Sequence, residues 1–250
     1  MDSAILRFYD DLNDFLPQKI RGRDFTVGLQ IRQSVKDIIE AVGPPHCEVG
    51  LILINGHSAG FGELPSANDQ ISVYPYFSKF DITLVSKVAI PMPGRPNFIA
   101  DVNLGRLAVY LRLLGFDTLY SNDLEDSEIT EIASESGRIV LSRDIGLLKR
   151  SAIGLGRWLR SDKPVEQLRE TLRKFNLFDE IREFTLCSEC NSPLRTIAKS
   201  EIEHLLEEGT RRNFNDFFEC SGCGKIYWKG SHYKRFMNFL NEIHTEDSSV

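Results

Sequence analysis

The fold of the central part of the chain is decided by residues 97–144, which read NFIADVNLGRLAVYLRLLGFDTLYSNDLEDSEITEIASESGRIVLSRD. Short apolar runs at residues 97–100, 116–120 and 138–142 predict three strands, and apolar residues at helical spacing between them predict two helices. Asn103 is the predicted N-cap of the first helix. Strands and helices that alternate at this pitch indicate right-handed parallel βαβ units, so we predict an α/β domain with a parallel sheet.

Acidic residues follow the predicted strands. Asp101 directly follows the first strand, Asp144 lies two residues past the end of the third, and Asp126 opens the helix after the second. Because ligands of open α/β sheets bind at the carboxyl ends of the strands, we expect these carboxylates to converge there. Oxygen ligands suit Mg²⁺ or Mn²⁺, which can activate water and neutralise charge during phosphodiester hydrolysis. The alternatives are structural, with Asp126 as a helix N-cap and Asp144 as the start of an Asx turn.

Charge is segregated along the chain, although its net charge is only −6. Residues 121–136 contain six acidic residues and no basic one, whereas residues 138–174 contain ten basic and four acidic residues. A local basic field of this kind attracts polyanions. The alternative is a pair of solvated helices with mixed faces. The candidate substrate-binding residues here and in the preceding helix are Arg106, Arg112, Arg143, Lys149 and Arg150.

A proline cluster, PMPGRP at residues 91–96, predicts a linker, since proline removes amide donors and stiffens the backbone. In the part before it, apolar runs predict strands and a helix that begins after Ser34. The predicted strands occupy residues 4–9, 26–29, 49–54 and 69–75, and the helix residues 35–42. Two strands, a helix and further strands follow the order of a β-grasp, or ubiquitin-like, domain.

Residues 53–56 and 68–75 resemble the small sulfur-carrier branch of the β-grasp fold. Those carriers act through a free C-terminal Gly-Gly. Here the residues at 77–80 are FSKF and the chain continues. We therefore expect the N-terminal domain to dock a protein partner and not to carry sulfur.

Four of the five cysteines form two Cys-x-x-Cys pairs near the C-terminus. These are Cys187, Cys190, Cys220 and Cys223. Such pairs present four thiolates as a tetrahedron, which structural Zn²⁺ prefers, and a site closed in this way has no open catalytic position. Redox use is the alternative, but neither pair lies between a strand and the helix that it feeds, as thioredoxin motifs do. A helix is predicted between the pairs at residues 200–208, and Cys47 is predicted to be a small buried hydrophobic residue.

Several of these motifs together resemble the Mut-seven carboxy-terminal RNase family, which belongs to the PIN-like nucleases. The matching segments are residues 101–108, 111–117, 126–129, 138–144 and 220–233. The resemblance implies metal-assisted hydrolysis of RNA, with Asp101, Asp126 and Asp144 as the catalytic acids that hold Mg²⁺ or Mn²⁺. Asp117 and Asp123 are additional candidates. The family usually has Thr-Arg-Asp at residues 142–144, where this chain has Ser-Arg-Asp and so keeps the hydroxyl group.

Aromatic and basic residues alternate after the second cysteine pair. Tyr227 and Trp228 lie in a predicted strand between lysines, which suits base stacking beside phosphate contacts. The alternative is that Trp228 packs beneath the ribbon. An amphipathic last helix is predicted from Phe236, Phe239, Leu240 and Ile243.

These observations predict a multi-domain α/β protein. Its parts are a β-grasp domain at residues 1–90, a linker at 91–96, a PIN-like α/β/α domain at 97–182, and a zinc ribbon with a C-terminal helix at 183–250. No apolar run is long enough to span a membrane, and the N-terminus lacks the order of a signal peptide, so we expect a soluble cytoplasmic protein.

The predicted function is that of a Mg²⁺- or Mn²⁺-dependent ribonuclease with a structural zinc ribbon that aids RNA binding. One alternative is a noncatalytic RNA- or ribosome-binding adaptor with a PIN-like fold. Another is a protein-interaction module built around the N-terminal domain. Convergent carboxylates would repel phosphate in a protein that only binds RNA, and this favours the enzyme.

Overall fold

The computed structural model describes residues 2–92, 94–231, 233–238 and 240. These residues pack as two compact units. The first unit comprises Met1–Asp101 with Asp123–Leu159, and the second comprises Val102–Asn122 with Arg160–Val250. Pro93 of the predicted linker, Phe239 and Ile243 of the predicted last helix, and the whole of 241–250 lie outside the described residues.

Strands and helices are numbered in chain order. The strands are β1 Ser3–Phe8, β2 Phe25–Gly28, β3 Val49–Ile54, β4 His57–Ser58, β5 Gln70–Pro75, β6 Phe98–Ala100, β7 Thr118–Leu119, β8 Ile139–Ser142, β9 Gly156–Trp158, β10 Leu194–Ile197, β11 Phe217–Cys220 and β12 Ile226–Trp228. The α-helices are α1 Val35–Val42, α2 Gly105–Leu113, α3 Asp126–Ser136, α4 Ile145–Leu148, α5 Pro164–Lys174, α6 Lys199–Ile202 and α7 Glu208–Asn213. The 3-10 turns are Asp10–Phe15, Gln18–Ile20, His46–Glu48, Val102–Leu104, Phe178–Glu180 and Glu203–Leu205. Residues 233–238 are also helical.

The N-terminal sheet has the strand order β2-β1-β5-β3-β4, in which β1 and β5 are parallel and the other neighbours are antiparallel. Helix α1 begins after Ser34, whose hydroxyl accepts from the Asp37 amide while the Asp37 carboxylate accepts from the Ser34 amide. Ile38 and Ile39 of α1 are buried in the core beside the sheet. The topology is that of a β-grasp domain and confirms the prediction.

A parallel sheet within the first unit joins β6, β8 and β9 in that order. Strands β6 and β8 are short and almost wholly apolar, as expected where both faces are buried. Strand β9 was not predicted because its residues lack an apolar run. Gly156 is required in it, since a Cβ atom there would lie 2.8 Å from both Cys47 Sγ and Leu148 Cδ2. The predicted parallel sheet is thereby confirmed for these strands.

Buried charges join the β-grasp part of the first unit to β9. The Glu48 side chain is 0% exposed and accepts from Arg157 at 2.9 Å and from the Trp158 amide at 2.5 Å. Arg157 also pairs with Asp11 at 2.6 Å. Cys47 is buried as predicted and donates from Sγ to the Leu148 carbonyl at 3.3 Å. The two parts of this unit therefore share one set of buried polar contacts.

Two predicted helix boundaries are wrong. Asn103 is not an N-cap, because it lies within the 3-10 turn Val102–Leu104 that precedes α2. The predicted helix at residues 200–208 is divided into α6, a 3-10 turn and α7. Ile202 is buried but Leu205 is 65% exposed, so the segment has no continuous apolar face to hold a longer helix.

The second predicted strand of the central segment is also shorter than expected. It contains only β7, because the amides of Gly115 and Phe116 bond back to the carbonyls of Arg112 and Leu111 at the end of α2. Gly115 has a φ of 80°, the left-handed conformation that commonly ends a helix. The strand begins only after this closing turn.

In the second unit, α2 packs against α5 and the ribbon forms a separate small sheet. Leu107 and Leu111 of α2 and Leu168 and Leu172 of α5 are fully buried. Strands β10, β11 and β12 form an antiparallel sheet in that order. Among the described helices, none is long and apolar enough to cross a membrane.

Candidate functional site

The four predicted cysteines lie together in the second unit. Their sulfur atoms are all within 4.8 Å of one another, with Cys187 and Cys223 at 3.7 Å and Cys190 and Cys220 at 3.3 Å. Zinc binds cysteine sulfur at about 2.3 Å, so ideal tetrahedral sulfurs are about 3.8 Å apart. The spacing and the all-thiol donor set therefore fit a structural zinc ion.

Backbone amides surround these sulfurs. The amides of Gly222 and Cys223 donate to Cys220 Sγ at 3.3 and 3.4 Å, and the Cys190 amide donates to Cys187 Sγ at 3.4 Å. Hydrogen bonds from Ser192 lower the pKa of the Cys190 thiol to about 6. Donors of this kind orient thiolate ligands and stabilise their charge, here at Cys187, Cys190 and Cys220.

Arg112 anchors the first cysteine turn to α2 and β7. It is only 5% exposed, and its guanidinium donates to the carbonyls of Thr118, Ser188 and Glu189 at 2.9, 3.2 and 2.7 Å. The prediction that Arg112 contacts substrate is therefore withdrawn, because its guanidinium is buried and donates to three carbonyls inside the protein.

Asn191 makes a second anchor at the same turn. Its side-chain amide donates to Asp117 at 2.6 Å and accepts from the Thr118 amide at 3.2 Å. Asp117 was an additional candidate acid, and this contact gives it a structural role beside the cysteine turn.

Asp101 and Asp144 follow neighbouring parallel strands, β6 and β8. Asp101 is 7% exposed and accepts a hydrogen bond from the Ser142 hydroxyl at 2.7 Å. The same hydroxyl accepts from the Asp144 amide at 2.8 Å, and Ser142 is fully buried. One hydroxyl therefore links the first predicted acid to the backbone of the third. The sequence showed that a hydroxyl was present at 142, but not that it would join these residues.

The remaining contacts of the candidate acids are structural in part. Asp144 Oδ1 accepts from the Gly146 amide at 2.6 Å, which is the predicted Asx turn at the start of α4. Asp126 is the first residue of α3, whose N-cap is Glu125, so the structural alternative that Asp126 is the N-cap is wrong. The Asp126 carboxylate pairs with Arg150 at 3.2 Å.

Among the described residues, one cluster of three or more His, Cys, Asp or Glu side chains is close enough to share a metal ion, and it is the four cysteines, whose donor atoms all lie within 4.8 Å of one another. Asp101, Asp126 and Asp144 do not form such a cluster. The structure thus brings Asp101 and Asp144 to the ends of adjacent strands, while Asp126 is held by Arg150.

The basic residues of segment 138–174 are divided between the surface and the interior. Arg143 and Arg150 are exposed, as is Arg106 before them. Lys149 is half-buried, and its ammonium donates to the Glu40 carbonyl at 2.5 Å. Arg157 is buried against Glu48. The basic field at the surface is therefore smaller than the sequence predicted.

Tyr227 and Trp228 lie in β12, as predicted, and both are half-buried. The Tyr227 hydroxyl is 3.1 Å from Cys187 Sγ and 3.1 Å from Ser188 Oγ. The Trp228 ring lies 6.4 Å from that of Phe217, and both predicted residues also line a cavity. Trp228 therefore packs on the ribbon and still reaches an open space.

Family models match two separate parts of the chain. A family model described as Mut7-C RNAse domain matches residues 96–240, and one described as Mut7-C ubiquitin matches residues 1–81. No curated protein matches the chain. A crystal structure of small archaeal modifier protein 1 from H. volcanii is 19% identical and covers 30% of this chain and 98% of its own, with a TM-score of 0.25. A structure of SAMP1 from Haloferax volcanii is 20% identical and covers 31% of this chain and 99% of its own, with a TM-score of 0.25.

Proposed function

The chain belongs to the Mut7-C RNAse domain family, and we propose that it is a metal-dependent ribonuclease that hydrolyses RNA phosphodiester bonds. The family supports a nuclease-like role. The observation that carries the finer proposal is the arrangement of Asp101 and Asp144 at the ends of adjacent parallel strands, with Ser142 between them. This is the edge at which α/β sheets bind their ligands.

In this proposal Asp101 and Asp144 hold Mg²⁺ or Mn²⁺, and Asp126 is the third acid. The three carboxylates do not form a closed ligand set, but Mg²⁺ is usually held by one or two carboxylates and several waters. The two acids beside Ser142 fit that requirement. A bound ion would activate water and stabilise charge on the phosphoryl group. Ser142 donates to Asp101 Oδ2 and so fixes the direction of its second oxygen.

RNA would be held by exposed cations and by aromatic stacking. Arg143 and Arg150, with Arg106, are the exposed arginines proposed to contact phosphate. Tyr227 and Trp228 of the second unit are the proposed stacking residues, since aromatic rings hold single-stranded bases without sequence preference. The four cysteines would hold one structural zinc ion that stabilises the ribbon.

The remaining parts of the proposal concern the whole chain. The ubiquitin-like domain would dock a protein partner, and the protein would act in the cytoplasm. The proposed domains are a ubiquitin-like domain at residues 1–90 and a PIN-like domain at 97–182, joined by a linker at 91–96. A zinc ribbon with a C-terminal helix follows at 183–250.

The test is cleavage of a generic RNA pool with Mn²⁺, using wild-type protein and Asp101→Asn from matched preparations. Asp162→Asn serves as a control for the charge change, because Asp162 is exposed and is not among the candidate acids. We expect wild type and Asp162→Asn to cut RNA and Asp101→Asn to bind it without cutting. Equal cleavage by all three proteins would identify a contaminant.

The second candidate function is a noncatalytic RNA-binding adaptor. The observation that favours it is that Asp126 pairs with Arg150 and Asp144 closes an Asx turn, so both carboxylates have structural contacts. Wild-type protein that binds RNA but does not cut it with Mn²⁺ or Mg²⁺ would establish this alternative.

A further inference from the structure

The second unit contains an aromatic cavity of about 500 Å³. Its walls include Tyr110 and Phe236, with Phe184 and the predicted stacking residues Tyr227 and Trp228. The volume lies within the range of about 300–1,000 Å³ that is typical of small-molecule sites. All the lining residues belong to this one unit, so the cavity is complete within it.

The rings that line the cavity are not part of the buried core. Tyr110, Phe184, Tyr227, Trp228 and Phe236 are each half-buried and keep part of their surface in contact with solvent. The Tyr110 and Phe236 rings stack with centroids 5.1 Å apart and an interplanar angle of 26°. A wall of ordered rings that remains accessible offers a flat apolar surface to a planar ligand.

The cysteine site supports one wall of this cavity. The Tyr227 hydroxyl contacts Cys187 Sγ and Ser188 Oγ, both at 3.1 Å, which ties β12 to the first cysteine turn. Trp228 lies against Gly230, where a Cβ atom would be 2.9 Å from the indole nitrogen. These contacts hold both aromatic side chains in place before a ligand arrives.

Cations lie beside the aromatic surface. Residues 225–235 contain Lys225, Lys229, Lys234 and Arg235 and no acidic residue. Arg235 lines the cavity and is exposed, and the Lys229 ammonium lies 5.5 Å from the centre of the Phe184 ring. Glu183 lies 3.8 Å from that ammonium and Glu189 lies 2.6 Å from the Lys225 ammonium, so each carboxylate offsets part of the positive charge. The combination favours a ligand with a planar apolar part and a negative charge.

We propose that this cavity binds an unpaired nucleobase of single-stranded RNA, with the attached phosphate near Arg235. The inference rests on the proposed function, because it names a site, other than the candidate acids, that binds the RNA substrate. Base stacking in an aromatic cavity beside cations is the usual chemistry of single-strand recognition. An apolar peptide would match the rings but would offer no negative charge to Arg235, the cation that lines the cavity.

Tryptophan fluorescence can test the proposal, because the chain has two tryptophans, Trp158 and Trp228. Trp158 lies in the first unit, so Trp158→Phe leaves Trp228 as the single reporter. Asp101→Asn in the same protein is expected to prevent cleavage during the titration. The probes are hexauridine and a six-unit abasic ribose-phosphate chain. We expect hexauridine to quench Trp228 and the abasic chain to quench it far less.

Two further variants locate the site. Phe236→Ala and, separately, Tyr110→Ala should weaken hexauridine binding about fivefold or more, because each removes a stacking surface. Phe80→Ala is the matched control, since Phe80 is 71% exposed and lies in the first unit. Zinc content and circular dichroism identify a variant that has lost its fold. If either Phe236→Ala or Tyr110→Ala has done so, the hexauridine affinity of the other variant tests the site.

The outcomes separate this inference from the proposed function. Equal quenching by both probes, or quenching only by an amphipathic peptide, would overturn the inference. RNA cleavage by Trp158→Phe protein with Asp101 intact, together with no base-dependent quenching in its Asp101→Asn form, would leave the ribonuclease and remove this cavity from it. Base-dependent quenching in a protein whose wild type does not cut RNA would keep the cavity and support the adaptor.

Discussion

Ser142 and Asp101 are 41 residues apart in the chain, yet the Ser142 hydroxyl lies 2.7 Å from Asp101 Oδ2. The contact follows from the parallel pairing of β6 with β8, which places the residues after Ala100 and Leu141 side by side. Because both residues are buried, the hydrogen bond fixes the orientation of a carboxylate proposed to hold metal.

Ser142→Ala should therefore weaken Mn²⁺ binding and slow RNA cleavage, since Asp101 loses its donor. A hydrogen bond to a charged group is worth about 1.5–3 kcal/mol. Ser142→Thr keeps the hydroxyl and should restore both properties. Calorimetric titration with Mn²⁺ measures the effect apart from activity. Equal Mn²⁺ affinity in wild type and Ser142→Ala would show that Ser142 does not position the acid.

Removing one cysteine of the cluster should abolish zinc binding. Cys187→Ser or Cys223→Ser should unfold residues 183–235, because structural zinc supplies about 10–16 kcal/mol of apparent binding free energy in small peptides. Elemental analysis and limited proteolysis provide the measurements, and Cys47→Ala is the control that should retain one zinc. A wild-type protein without zinc, or with a disulfide in either pair, would contradict the prediction.

The exposed arginines should contribute to the salt dependence of RNA binding, and Lys149 should not. Replacing Arg143 and Arg150 with alanine should lower the slope of log affinity against log salt by about 1.4, since each phosphate contact to a single strand contributes about 0.7. Lys149→Ala should leave the slope unchanged, because its ammonium donates to the Glu40 carbonyl. Fluorescence anisotropy in Asp101→Asn protein at several salt concentrations measures both slopes. An unchanged slope in the double arginine variant would place the phosphate contacts elsewhere.

Glu48→Gln should reduce the free energy of unfolding by about 1.5–3 kcal/mol, because it removes the charge from a buried acceptor of hydrogen bonds from Arg157 and the Trp158 amide. Arg157 would keep Asp11 but lose the carboxylate on its other side. The matched control is Glu208→Gln, which breaks an exposed pair with Arg212 and should cost no more than about 1 kcal/mol. Chemical denaturation measures both variants. If Glu48→Gln lowers the free energy of unfolding no more than Glu208→Gln does, the contact between Glu48 and Arg157 does not stabilise the packing of β9 on the β-grasp part.

Burial lowers the pKa of His46 below its ordinary value, while Glu40 at 2.6 Å opposes the shift and Lys36 adds to it. The folded state then binds fewer protons than the unfolded state as pH falls below about 6.5. The contribution of His46 to stability is complete above that pH and is lost as pH falls toward the lower folded pKa. Thermal unfolding at pH 7.5 and 5.5 should show a smaller difference in His46→Gln than in wild type. Identical differences would exclude His46 as a source of the pH dependence.

The parts of the structure that were predictable from sequence are those whose conformation is determined by residues close together in the chain. Helix α1 has the predicted bounds because Ser34 and Asp37 close a capping box and its apolar residues recur at helical spacing. The turn after β3 follows from Asn55 and Gly56, whose φ angles of 50° and 82° match their tolerance of the left-handed region. The two Cys-x-x-Cys pairs and the positions of Asp101 and Asp144 after strands were predictable for the same reason.

Tertiary structure alone decided which charged and aromatic residues are available to a ligand. Nothing in the local sequence distinguishes Arg112, which is buried by the cysteine turn, from the exposed Arg106. Glu48 meets Arg157 across 109 residues, and Tyr110 meets Phe236 only after α2 and the C-terminal segment have packed. Sequence spacing determines backbone conformation and the face on which a side chain lies. The partner of a buried polar side chain is determined only when distant segments pack together, because burial of that side chain without a partner would cost free energy.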